Sequence, residues 1–157
     1  MSRAFVKEME DEPPPPPLER PVSAAPNLVT PRGAALIEAQ IAELEGQLAA
    51  GPPEEAAAPL RRDLRYWVIR HASMKVVDAD PAPAVAGFGV RCTIRRGGAA
   101  SEVTIVGENE ADPPAGLIAW TAPLARALDG AAPGEVVDFE AGGKIEEIEV
   151  AAVSARK

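Results

Sequence analysis

Residues 30–53 read TPRGAALIEAQIAELEGQLAAGPP, and their spacing decides the architecture. Ala34, Ile37, Ile41, Leu44 and Leu48 recur at alternating intervals of three and four, the a/d stripe of a heptad. Thr30 is placed to cap a helix and Pro31 to begin it, because the first helical N–H has no partner inside the helix. Gly51 stands where a left-handed cap is wanted, and Pro52-Pro53 forbids continuation. Beyond that break, Leu60, Leu64, Trp67 and His71 repeat the rhythm. Neither stripe can be buried alone, so the pattern predicts two short helices paired antiparallel as a coiled-coil hairpin. The first arm, at about 20 residues, has a length of roughly 30 Å. Pro59 either delays the start of the second arm or kinks it.

Charge is distributed unevenly over this finger. The first arm carries Glu38, Glu43 and Glu45; the second carries Arg61, Arg62, Arg65 and Arg70 against Asp63. Arg61 and Arg65 lie one turn apart on one face, which fits either inter-arm ion pairing or a basic stripe that touches phosphate. Tyr66, Trp67, Val68 and Ile69 make the second arm apolar nearly all round, so its end is expected to seat against a globular body. His71, on the apolar stripe, reads as a packed core histidine. With one His and one Cys in the chain, no metal site is expected.

The chain has 157 residues, enough for one compact domain and an appendage. A net charge of −8 argues against nonspecific binding to a nucleic-acid backbone. Cys92, being alone, excludes an intramolecular disulfide and sits easily with the cytoplasm. No apolar run reaches the ~20 residues of a spanning helix, and the N-terminus lacks the apolar core of a signal peptide. A cytoplasmic monomer is the expectation. Residues 1–28, with acidic Met9–Glu12 and the run Pro13–Pro17, read as a disordered, proline-rich acidic tail, the prolines favouring an extended polyproline II rod. The hairpin occupies 29–75, and 76–86, containing Asp78-Ala79-Asp80-Pro81-Ala82-Pro83, is a linker.

From residue 87 the hydrophobic period changes to two. Phe88, Val90, Cys92 and Ile94 alternate with Gly89, Arg91, Thr93 and Arg95, as in a half-buried strand with Cys92 in the core. Arg96-Gly97-Gly98-Ala99 supplies a turn into a partner strand through Val103 and Ile105. Leu117, Ile118 and Trp120 mark a third strand, and Pro123 to Leu128 a short helix packed through Leu124, Ala127 and Leu128 and stopped at Gly130. Val136–Phe139 and Ile145–Val153 form a closing hairpin about Gly142-Gly143; a bulge near Glu146-Glu147 reconciles the phase of Ile145 with that of Ile148, Val150 and Ala152. The fold class is α+β: a helical hairpin followed by a small antiparallel sheet of about five strands with one helix.

Three segments resemble the bacterial GreA/GreB transcription elongation factors and the related Rnk-type proteins. They are Leu28-Val29-Thr30-Pro31-Arg32-Gly33, Ile105-Val106-Gly107-Glu108-Asn109-Glu110-Ala111-Asp112 and Pro123-Leu124-Ala125-Arg126-Ala127-Leu128. The resemblance runs from Asn27 to Val153 and implies an FKBP-like body, residues 87–157, that docks at the rim of the secondary channel of RNA polymerase core enzyme. The finger then enters the channel. In cleavage factors, acidic residues at the tip help hold a second magnesium that activates water to cut backtracked RNA. The tip signature of those factors, an Asp and a Glu three apart followed by Asn-Ala-Glu-Tyr, is absent; this tip reads Ala49-Ala50-Gly51-Pro52-Pro53-Glu54-Glu55. Glu54 and Glu55 are adjacent, diverge by about 100° on a helix, and suit the helix N-terminus of the second arm. The arms are also short, as in Rnk-type proteins.

The resemblance therefore implies a polymerase-binding regulator of elongation, not an enzyme, with no catalytic residues, no cofactor and no sequence-specific DNA contact. Glu54 and Glu55 are the tip candidates, Arg61 and Arg65 the basic face, and Pro123, Leu124 and Arg126 the docking candidates. Arg126 reads equally as a salt bridge within the body. Ala122 stands where the family motif has a capping serine, a loss of about 1 kcal/mol unless Thr121 serves. Two alternatives are a genuine cleavage factor using Glu54/Glu55 and, from another class, an FKBP-like prolyl isomerase with Phe88, Trp120 and Phe139 as pocket aromatics. The acidic segment 107–112 reads as a solvated loop.

Overall fold

The computed structural model of the chain describes residues 18–156; Met9–Glu12 and Pro13–Pro17 lie outside the described residues. The chain enters through β1 (Leu28–Val29) into α1 (Pro31–Ala49), turns at 50–53, returns along α2 (Glu54–Ser73) and leaves through β2 (Lys75–Val76). Thr30 caps α1 as expected, its Oγ1 accepting the Gly33 N–H at 3.0 Å. Gly51 takes φ 71°, the left-handed conformation that ends α1. Pro59 does not delay α2, which starts at Glu54 and runs through it. Its missing donor falls in the exposed second turn, where water can serve the freed carbonyl.

A pairing the sequence did not suggest closes the finger's base. β1 and β2 form a parallel pair, Leu28 opposite Lys75 and Val29 opposite Val76. Gly107 lies against it so closely that a Cβ there would stand 2.4 Å from the Leu28 carbonyl oxygen.

The body follows as β3 (Val90–Arg96), β4 (Ala99–Val106), β5 (Leu117–Ala119), α3 (Pro123–Leu128), β6 (Val136–Ala141) and β7 (Lys144–Ala155). The sheet order is β5-β4-β3-β7-β6. Both hairpin turns are Gly-Gly pairs with positive φ at each position, Gly97/Gly98 and Gly142/Gly143, the twist that suits adjoining antiparallel strands. The sheet is mixed, not wholly antiparallel: β5 runs parallel to β4, with Thr104 opposite Leu117. The chain after β4 doubles back, makes a 3-10 turn at Pro113–Ala115 and bridges Asp112 to Leu117, so β5 runs beside the last three residues of β4.

The alternation in β3 holds, with Val90, Cys92 and Ile94 buried. They pack with Val103, Ile105, Ile118, Ile148 and Val150 beneath α3. Within α3 the deep residues are Ala125 and Leu128, with Leu124 half-buried, so Ala125 takes the place expected of Ala127. The register break in β7 is at Ala151, not at Glu146-Glu147: Thr93 faces Ala152 while Ile94 faces Val150. The phase changes there, so Val153 turns toward the core, Ala152 outward, and Ile145 is left exposed near the Gly-Gly turn. Ala122 sits at the cap of α3 with extended backbone and no side-chain bond, and Thr121 does not replace it.

Gly46, in α1 with nothing near its Cβ position, and Gly107 are opposite cases. Gly46→Ala is expected to raise stability by about 1 kcal/mol through helix propensity, whereas Gly107→Ala is expected to lower it by about 1–3 kcal/mol, both read by urea denaturation. Burial pushes the Cys92 thiol from an ordinary 9.0 up to about 11. Burying the neutral thiol supports the fold below pH 9.0, and that support is lost as pH rises through about 11. Native protein should therefore leave Cys92 unreacted with a thiol reagent at pH 8, and urea should release one equivalent; rapid reaction of native protein would contradict this burial.

Candidate functional site

The finger is built on one apolar seam. Ile37 and Leu44 from α1 and Trp67 from α2 are buried in it with Val29, and Ala34, Ile41, Leu60 and Leu64 pack at its margins. Between the arms His71 Nε2 lies 3.7 Å from a Glu38 carboxylate oxygen. His71 is thus half-exposed on the surface, not in the core. The residue that turns inward is its neighbour, Arg70, 2% exposed.

Arg70 is the pivot between finger and body. Its Nε donates to Asn109 Oδ1 at 2.6 Å and its Nη2 to Asn27 Oδ1 at 2.6 Å. Asn27 returns a bond from Nδ2 to the Arg70 carbonyl at 2.7 Å and another to Ser73 Oγ at 3.1 Å. Asn109 Nδ2 donates to the Tyr66 hydroxyl at 2.8 Å. The guanidinium lies in the last turn of α2, where the helix dipole favours a cation. Here α2 exchanges its neighbour: its inward face swings from the α1 side to the body side, and position 70 supplants position 71.

A second polar knot lies beside the first. The Thr30 hydroxyl donates to Glu110, and Arg156 closes on the other carboxylate oxygen. Glu110 is buried, so the segment 107–112 is no solvated loop; Asn109 and Glu110 are what grip the finger. Their signal in the sequence was slight, since an Asn-Glu pair after a strand also describes an ordinary surface turn.

At the far end Glu54 and Glu55 are both exposed, and Glu54 pairs along its own helix with Arg61. Arg65 binds Glu19, with Nε at 3.1 Å, and these bonds hold the Glu19 carboxyl below its usual range. The basic face is therefore engaged by α2 itself and by the N-terminal segment. That segment packs: Arg20 lies 3.9 Å over the Tyr66 ring and Leu28 joins β1. Val68 and Ile69, expected against the body, are 47% and 48% exposed, because the body meets α2 through Tyr66 and Arg70.

Sixteen residues separate Glu54 from Arg70, so the tip stands about 24 Å from the joint. The docking candidates are at the other end. Pro123 is exposed, Leu124 half-buried, and the exposed Arg126 lines a pocket of about 310 Å³ with Leu28, Phe88, Trp120 and Asp129. Phe139 does not line it and lies instead beneath Arg96 at 5.5 Å, so the three aromatics do not converge. The Trp120 indole nitrogen and Glu108 Oε1 are buried without a hydrogen-bond partner among the described residues. No cluster of three His, Cys, Asp or Glu side chains suited to a metal occurs among those residues. No helix among them is long and apolar enough to cross a membrane.

Removing the guanidinium strands Asn27 and Asn109. Arg70→Met is expected to cost about 3 kcal/mol. Hydrogen exchange should localise the loss to the amides of Lys75 and Val77, which bond to Asn27 and Val29.

Comparison with known proteins gives a match of residues 81–155 to a family model described as transcription elongation factor, GreA/GreB, C-terminal. No curated protein matches the chain. Among solved structures, GreA factor homolog 1 (Gfh1) of Thermus thermophilus is 16% identical, covering 83% of this chain and 100% of that chain with a TM-score of 0.40. Gfh1 of Thermus aquaticus is likewise 16% identical, over 83% of this chain and 100% of its own, at 0.41. The transcription elongation factor GreA/GreB from Nitrosomonas europaea is 22% identical, over 82% and 98%, at 0.39.

Proposed function

We propose, from the match of residues 81–155 to the GreA/GreB C-terminal family model, that the chain is a GreA/GreB-type factor that binds RNA polymerase core enzyme at the secondary channel and regulates elongation without stimulating transcript cleavage. The observation that carries the second half is the tip. Cleavage needs carboxylates that share one hard cation at bond lengths fixed to tenths of an ångström. Glu54 and Glu55 occupy successive helical positions, and Glu54 is already held by Arg61. A tip of this kind blocks or competes; it does not supply a metal ligand set.

In this reading the division of labour follows the chain: tail to residue 28, finger 29–75, linker 76–86, body 87–157. The body docks through Pro123, Leu124 and Arg126, the last of which shares a pocket with Leu28 at the finger's base. Arg61 and Arg65 line the flank of the finger that meets the channel wall. The protein acts as a cytoplasmic monomer, without cofactor and without catalytic residues of its own. The cleavage-factor alternative has only the two carboxylates in its favour, and the isomerase alternative only the Phe88–Trp120 pocket.

Purified protein is expected to co-elute with core polymerase at low salt, and Arg126→Glu to weaken that association by roughly tenfold, the effect of losing one charged contact of about 1.4 kcal/mol. Added to backtracked complexes, the protein should leave the RNA length unchanged. Shortened RNA that disappears with Glu54→Gln or Glu55→Gln would overturn the noncatalytic assignment, and absence of any association would overturn polymerase binding itself.

A further inference from the structure

The pocket that holds Arg126 is built around the end of β4. The Gly89 N–H donates to the Ile105 carbonyl at 2.7 Å, and the Trp120 N–H donates to the Val106 carbonyl at 2.9 Å. These bonds set Phe88 and Trp120 beside the last residues of β4, and both side chains line the pocket. Ile105 and Ala125, each 2% exposed, make its floor. A volume of about 310 Å³, an apolar depth and a small number of polar groups are the proportions of a small-molecule site.

The charged groups of the pocket come from α3 and its cap. Arg126 and Asp129 stand three residues apart, hence on one side of the turn, and both are exposed. Neither side chain makes an ion pair or a hydrogen bond among the described residues. Two opposite charges beside aromatic walls restrict the occupant. A hydrocarbon leaves both charges unused, a simple anion also meets Asp129, and a simple cation also meets Arg126. A molecule that carries both charges close together, next to an apolar group, matches every part. Its carboxylate takes the guanidinium in a forked bond, its ammonium takes the Asp129 carboxylate, and its side chain lies against Phe88 and Trp120.

We propose that this pocket binds a free α-amino acid with a large apolar side chain. The binding does not depend on polymerase. Arg126 also belongs to the proposed docking surface, and on that reading the bound amino acid and the polymerase compete for it, so that docking responds to amino-acid supply.

Titration of the full chain with L-phenylalanine, followed through amide and indole NMR signals, tests the site. Saturable shifts are expected at Phe88, Gly89, Ala125 and the Trp120 indole, while the indole of Trp67, in the seam of the finger, stays unmoved. Arg126→Gln and Asp129→Asn are each expected to weaken binding roughly tenfold, the loss of one charge-assisted hydrogen bond. Both side chains are exposed, so the signals of the strands should keep their places. Phenylpropionate and phenethylamine, which lack one charge each, are expected to bind more weakly by a similar factor. The proposal is overturned by the absence of saturable shifts, by shifts confined to the surroundings of Trp67, or by variants that bind as well as the parent. N-acetylphenylalaninamide binding as tightly as phenylalanine would also overturn it, because the occupant would then be a side chain carried on a peptide. None of these outcomes alters co-elution with core polymerase, so the two readings fail separately.

Discussion

The orientation of the finger depends on one buried cation. Apolar contacts such as those of Val29 and Trp67 attract without direction and tolerate sliding, whereas a planar guanidinium bonded at 2.6 Å to two amide oxygens admits one arrangement. Arg70 joins three separate pieces of chain: the approach to the finger at Asn27, the end of α2, and the loop after β4 at Asn109. Among the described residues its side-chain bonds go to amide oxygens, not to carboxylates. Its charge is met by amide dipoles and by the end of a helix, which desolvates fewer ions than a buried salt bridge does. Because the tip is a lever about 24 Å from this point, any slack in the joint is magnified there.

The rest of the base is arranged to remove that slack. Gly107 lets the loop backbone press against Leu28, and the Thr30 hydroxyl serves α1 as cap while it donates to Glu110. One residue thus begins the helix and fastens it. The body supplies a stiff platform, since β3, at the centre of the sheet, pairs on both sides with long strands. Rigidity at the base and exposure at the tip are the two properties the proposed function needs, and they come from opposite ends of α2.

Much of this was legible in the sequence where a periodic pattern meets a residue with a backbone constraint. Thr30-Pro31, Gly51-Pro52-Pro53 and the two Gly-Gly pairs mark element ends by sterics alone, and the heptad and two-residue periods filled in what lay between. What escaped was non-local. Nothing near Arg70 says that Asn27 and Asn109 will meet it across separations of more than thirty positions, and a cation in the last turn of a helix ordinarily faces water. The same blindness placed His71 inside and treated Glu110 as solvated. The bulge was expected on the wrong side of Ile148 because exposure of Ile145 near a turn costs little, whereas the phase change is needed where Val153 joins the core. At the candidate site, the carboxylates of the tip were plain from their positions, but the pairing of Glu54 with Arg61 and the packing of residues 18–27 on α2 depend on side-chain directions that spacing does not encode.

The parallel pairing of Leu28–Val29 with Lys75–Val76 has a further implication. Entry and exit of the hairpin lie side by side, so everything between them is topologically a loop on the body, however long. Whole heptads inserted equally into both arms would move the tip outward and leave the anchoring contacts untouched. Reach is thereby uncoupled from attachment: a lineage can shorten or extend such a probe without redesigning the domain that carries it.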